Sequence, residues 1–171
     1  MNYKVIDKET YYRKGVFRHF TEDCTCSTSM TARIDVTDLV RYSKMTETKF
    51  YINFLYILSK VLNSREDYRM GYLREKDELI CYDVINPIQY IFHKDTETFT
   101  LVYTEYDEDY EKFYAAALRD AEEAKKTREY LRKTLTILFC FAVTVRHGTN
   151  PMDWSCLKIL FCFTSRPIHR K

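Results

Sequence analysis

Four histidines, His19, His93, His147 and His169, are the side chains of this sequence best suited to move a proton near neutral pH. They are scattered, and none has a second histidine beside it. A base at His147 with Ser155 or Thr144 as an oxyanion donor would require an accidental constellation. The six cysteines suggest no metal or redox pair. Cys24 and Cys26 are separated by one residue, which suits strand alternation and not Cys-x-x-Cys. Cys81, Cys140, Cys156 and Cys162 stand singly in apolar stretches and are expected as buried free thiols. The carboxylates Asp107, Glu108 and Asp109 sit where a helix starts, favourable to its dipole and not a metal set. No metal is expected.

The elements that must position any such chemistry follow from hydrophobic spacing. Residues 8–20 place Tyr12, Val16, Phe17 and Phe20 at helical intervals, weakened by Gly15. Residues 27–36 alternate toward Ile34 and Val36, a strand pattern, and Asp38 is placed to cap a helix running to about Lys44. Residues 49–63 carry a helical stripe of Phe50, Phe54, Leu55, Leu58 and Leu62. Strands are predicted at 68–73, 78–83, 89–93 and 98–103, with turns at 74–77 and at Lys94–Asp95. A long charged helix is predicted over 107–131, with Tyr110, Phe113, Tyr114 and Leu118 on one face. The predicted fold class is α/β, a two-layer sandwich with a mixed sheet.

Composition excludes several functions. Lys and Arg number 27 against 25 Asp and Glu, and the densest charged stretch, 119–132, mixes both signs. A nucleic-acid binder or a charge-driven membrane binder needs an excess that is absent. The longest apolar run, 135–145, is too short to span a bilayer, and the N-terminus lacks a secretory pattern. A soluble, cytoplasmic protein is expected. Fifteen Tyr and 11 Phe against 3 Gly point to a sheet core rich in aromatic rings.

A set of phrases then falls in order along the chain. They are Tyr12-Arg13-Lys14 with Phe17; Cys26 followed by Ile34-Asp35-Val36-Thr37; Lys49-Phe50-Tyr51; Tyr68-Arg69-Met70 with Asp77-Glu78-Leu79 and Asp83; and Phe92-His93 with Thr96-Glu97-Thr98-Phe99, then Thr104-Glu105-Tyr106. Together they resemble the chloramphenicol acetyltransferase family over about residues 1–130. Ile52 stands where that family has a proline.

The resemblance implies a homotrimer with active sites at subunit interfaces, acetyl-CoA as cosubstrate, and chloramphenicol as the small-molecule acceptor, a chemistry of antibiotic resistance. A neutral alcohol is a poor nucleophile, so the family uses a histidine base within His-His-x-x-x-Asp-Gly and a serine that stabilises the oxyanion. Neither occurs in this chain, so no catalytic residue is assigned. By resemblance, Phe20 and Phe99 line the acceptor pocket. Thr28 takes the place of an aromatic there, His19 stands beside Phe20, and Arg13 matches an arginine that pairs with the motif's aspartate. His93 belongs to a phrase that is not the family's catalytic site and is read as structural. Ordinary core packing is the competing reading for each aromatic.

The family phrases stop after Tyr130. Codons able to specify residues 146–154 can read Pro-Trp in another frame, the dipeptide the family would carry there. Residues 1–130 are therefore read as the N-terminal portion of the family domain, with the C-terminal part of the fold missing. Residues 131–171 are read as a divergent tail translated out of frame. The alternative to an acetyltransferase is an inactive remnant that binds a hydrophobic ligand or partner subunit.

Overall fold

The computed structural model describes residues 2–24, 31–132, 140–146 and 157–161. Strand β1 (Tyr3–Ile6) is followed by a turn at residues 8–10, where Asp7 accepts from Glu9 N (3.0 Å) and Thr10 Oγ1 (3.1 Å). That turn delays the first predicted helix. Helix α1 spans only Lys14–Arg18 and runs into a π-helical turn, His19–Asp23. Strand β2 is Thr31–Ile34. Helix α2 (Thr37–Met45) follows, but Asp38 is not its cap. Asp35, three residues earlier and just outside the helix, accepts from Thr37 N at 2.9 Å, and Asp38 sits in the first turn.

Helix α3 (Phe50–Asn63) matches its predicted stripe, with Phe54, Leu55 and Leu62 buried. A short helix α4 (Glu66–Arg69) takes the start of the strand expected at 68, leaving β3 as Met70–Leu73. Then come β4 (Glu78–Tyr82), β5 (Asn86–His93) and β6 (Thr98–Tyr103). Asp77 and Glu97 close the two hairpins in the left-handed region, at φ 55° and 53°. Helix α5 (Tyr110–Ala124) is capped by Asp109, which accepts from Glu111 N (3.0 Å) and Lys112 N (3.3 Å). The acidic triplet thus serves a helix start, as its spacing suggested. Strands β7 (Leu131–Arg132), β8 (Cys140–Arg146) and β9 (Leu157–Phe161) complete the described chain.

The strands form two sheets instead of the one foreseen. A small antiparallel sheet has the order β1-β4-β3. A six-stranded sheet has the order β2-β9-β8-β5-β6-β7. The larger sheet is mixed, since β5 pairs in parallel with β8 and β6 with β7, while the other pairings are antiparallel. Helices α3 and α5 pack on each other and on β5, and α5 also on β6. The core between them holds Leu55, Ile80, Tyr82, Ile85, Phe113 and Ala117.

Helix α5 ends seven residues short of the predicted Leu131. The reason is tertiary. Thr100 Oγ1 donates to Glu129 O at 2.8 Å and Leu101 N donates to Tyr130 O at 2.8 Å, which holds residues 129–130 beside β6. The buried face of α5 is also smaller than its aromatic stripe implied. Besides Phe113 it consists of Ala117, Asp120, Ala121 and Ala124. Among the described residues, no helix is long and apolar enough to cross a membrane.

Candidate functional site

Alternation along β5 and β6 separates two faces of the hairpin. Gln89 and His93 on β5 and Thr100 on β6 are buried, whereas Tyr90, Phe92 and Phe99 point outward. Phe92 and Phe99 are register partners. The Phe99 ring lies 5.5 Å from Tyr90 and 5.6 Å from Tyr130. All four rings are solvent-accessible, from 39% for Phe99 to 62% for Phe92. These rings form an exposed aromatic cluster on the outer face of the hairpin. Tyr51, at the start of α3, is close enough to Tyr90 for their charges to interact, and burial first pushes its phenol up to about 12.

The other sequence candidates lie elsewhere. His19 and Phe20 share the π-helical turn, with rings 5.1 Å apart, and His19 Nδ1 is 3.4 Å from Asp23 Oδ2. Phe20 is 48% exposed. The Arg13 guanidinium stacks over Tyr12 at 4.9 Å, and among the described residues no carboxylate lies within ion-pair distance of it. Arg13 borders a cleft of about 300 Å³ lined by Tyr11, Phe17, Asp67, Met70 and Tyr72. Asp67 is engaged by Arg65 at 3.1 Å. Among the described residues no ring contact joins Phe20 or His19 to Phe99. Thr28, His147, Ser155 and His169 lie outside the described residues. Thr144 falls on β8.

Beneath the aromatic face, buried polar groups tie the hairpin to α5. Gln89 Nε2 donates to Thr104 Oγ1 (3.1 Å) and Ala117 O (3.2 Å), and Thr104 Oγ1 donates to Asp120 Oδ2 at 3.0 Å. Asp120 is a carboxylate at only 2% exposure, so this hydrogen bonding offsets a large desolvation cost. His93 is buried against Thr100, with Nε2 and Oγ1 2.9 Å apart. Cys81 is buried, as expected of the thiols, and burial raises its pKa. Cys24, which follows the π-helical turn in extended conformation, is exposed. Among the described residues no cluster of three His, Cys, Asp or Glu side chains could hold a metal ion.

The segment that carries Tyr130 is tethered from outside as well. Arg128 donates to Asp95 at 2.6 and 3.2 Å. The hydrogen bond from Arg128 holds the Asp95 carboxyl below its usual 3.8. A depressed carboxylate contributes stability that is complete above its unfolded value and disappears as pH falls through the lower folded value. We therefore expect the difference in urea midpoint between the native chain and Asp95→Asn to be constant above pH 3.8 and to close below it. A difference that widens on acidification would exclude the tether.

A family model for chloramphenicol acetyltransferase matches residues 1–148. The chain belongs to the chloramphenicol acetyltransferase family. It is similar to the chloramphenicol acetyltransferase of Clostridium perfringens, 36% identical over 134 residues, covering 78% of this chain and 61% of that protein. The Clostridium butyricum enzyme of the same name is 34% identical over the same share of each. The chain thus spans about 61% of the length of these curated relatives. A solved chloramphenicol acetyltransferase superposes with a TM-score of 0.73 at 15% identity, covering 94% of this chain and 88% of that one. That likeness establishes the fold as the family's.

Among the described residues, the outward face of the β5–β6 hairpin carries the exposed rings of Tyr90, Phe92 and Phe99. The two-residue spacing of Tyr90 and Phe92 on β5 could have placed them on one face, but pairing with Phe99 comes from the hairpin register. Tyr130 carried no such signal, since it reaches Phe99 only through the bonds that end α5.

Proposed function

We propose that this chain is the acceptor-recognition portion of an acetyl-CoA:chloramphenicol O-acetyltransferase, acting in the cytoplasm as a homotrimer. The observation that carries the reading is the exposed Tyr90–Phe99–Tyr130 cluster in a chain of this family. Flat aromatic rings suit the nitrophenyl group of chloramphenicol by offset or edge contact. Phe99 and Phe20 are the acceptor-facing rings in this reading, Thr28 forms a more polar wall, and Arg13 and His19 support the N-terminal side. Assembly into a trimer would supply the closeness between these groups that a single chain leaves open.

Acetyl transfer to the primary hydroxyl requires a base to take the hydroxyl proton as oxygen attacks the thioester carbonyl. It also requires a donor aimed at the developing oxyanion. Residues 1–171 contain no His-His-x-x-x-Asp-Gly to supply that base. The expected result is therefore binding without turnover. Equilibrium dialysis should show chloramphenicol bound, with Phe99→Ala weakening it about tenfold, while acetyl-CoA incubations release no chloramphenicol-dependent thiol. Thiol release at an enzymatic rate would refute the division of labour, and no antibiotic binding at all would refute the acceptor site. The out-of-frame reading of residues 131–171 is part of the same proposal. An insertion or deletion in the gene that restores family phrases downstream of residue 125 would support it.

A further inference from the structure

We propose that His93 is a positioning residue, fixed as the Nε2–H tautomer, which sets the Phe99–Tyr130 wall through a one-way hydrogen-bond relay. Its link to acceptor binding rests on the functional reading above, whereas the relay itself does not.

The direction follows from counting protons. Glu129 O is a carbonyl and can only accept, and Thr100 Oγ1 lies 2.8 Å from it. The single hydroxyl proton of Thr100 is therefore committed to Glu129. His93 Nε2 stands 2.9 Å from the same oxygen. With its proton spent, Thr100 Oγ1 can only accept from His93, so Nε2 carries a hydrogen. Both side chains are shielded from water, His93 at 4% and Thr100 at 0% exposure, which leaves no solvent to substitute for either bond. The relay runs His93 to Thr100 to the Glu129 carbonyl, which is the peptide unit leading into Tyr130. The next carbonyl, Tyr130 O, accepts from Leu101 N at 2.8 Å. Two successive carbonyls are thus held against β6, and Tyr130 has its ring 5.6 Å from Phe99.

The geometry also explains why the inner and outer faces are coupled. Phe92 and His93 are neighbours on β5 and point to opposite sides, as do Phe99 and Thr100 on β6. A polar pair on the buried side therefore fixes the chain that completes an aromatic surface on the exposed side. A leucine at position 93 could fill space but could not direct the Thr100 hydroxyl.

The test uses the full chain labelled with ¹⁵N. Long-range proton–nitrogen spectra should assign His93 as the Nε2–H tautomer, and an Nδ1–H tautomer would overturn the relay. His93→Gln, whose amide nitrogen can donate from the same place, should keep the native exchange rate of the Leu101 amide and chloramphenicol affinity within about twofold. His93→Leu should speed that exchange and weaken binding about tenfold. Thr100→Ser and Thr100→Val form an independent pair with the same expectation, should His93→Leu fail to fold. Equal exchange rates across each pair would refute the positioning role. Faster exchange with unchanged chloramphenicol affinity would refute its link to the acceptor. A native chain that binds no chloramphenicol would count against the functional reading alone, since the Leu101 amide still reports the relay.

Discussion

Phe113→Ala is expected to lower the unfolding free energy by about 3–5 kcal/mol. Phe113 is 0% exposed, on the face of α5 that meets the core. Its ring lies 5.5 Å from Tyr56 on α3 and 6.1 Å from Tyr106 just before the helix. Tyr56 is anchored independently, since its OH donates to Glu108 O at 2.7 Å. The Tyr56 ring cannot swing into the vacated volume without breaking that bond. The substitution therefore loses the ring's transfer energy and leaves a cavity that collapses poorly. Against a total stability of about 5–15 kcal/mol for a domain, that is a large fraction. Urea unfolding followed by circular dichroism measures it, with Phe113→Leu as a control expected to cost less than about 1.5 kcal/mol. A loss below about 1 kcal/mol for the alanine variant would mean that α5 is not seated on α3 as described.

The second large effect is expected at a polar core residue. Asn53, 2% exposed, joins three helices or their flanks through three hydrogen bonds. Its Nδ2 donates to Ser43 Oγ at 2.8 Å and to Thr48 Oγ1 at 2.7 Å, while its Oδ1 accepts from Tyr110 OH at 2.7 Å. Ser43 Oγ has already given its proton to Leu39 O at 2.8 Å, so it is available to Asn53 only as an acceptor. Leucine has a similar volume and none of these capacities. Asn53→Leu strips partners from buried or part-buried oxygens, and the expected cost is about 2–4 kcal/mol. Burial, chiefly, pushes the Tyr110 phenol up to about 12, so it remains a donor throughout the accessible range. Tyr110→Phe alone is expected to cost about 1 kcal/mol. If the network is as described, the double variant costs less than the sum of the two singles, because both remove the same bond. Strict additivity would show that the two residues are not coupled.

Some of this architecture was readable before any coordinates. Helix α3 and strand β6 appear where spacing placed them, because their apolar residues fall on one face and their ends carry turn residues. The phrase from Phe92 to Phe99 marked both the hairpin and the family. The early helix was harder. Its residues have helical spacing from Tyr12 onward, but Asp7 captures the backbone of residues 8–10 in a turn and the helix waits for Lys14. Side-chain competition of this kind leaves little trace in periodicity.

The candidate site divides in the same way. Phe99 was named from its phrase, and it lies in an aromatic cluster. Phe20 and His19 were named alike, yet the single chain places them on a π-helical turn with no ring contact to Phe99 among the described residues. Tyr130 was not singled out as part of the site, since a tyrosine after a charged helix has no pattern of its own. It became a neighbour of Phe99 because β6 captures two carbonyls and stops α5 early.

What the amino-acid order determined unaided was therefore local: which residues share a helix face or strand face, where turns interrupt them, and which family's phrases they spell. Only the tertiary structure decided that β8 and β9 lie between β2 and β5, that the alanine side of α5 and not its tyrosines is the more deeply buried, and that Asp120 is enclosed. Periodicity reports which side chains point the same way. It carries no information on which distant segment will cover them, because that depends on pairings made across the chain.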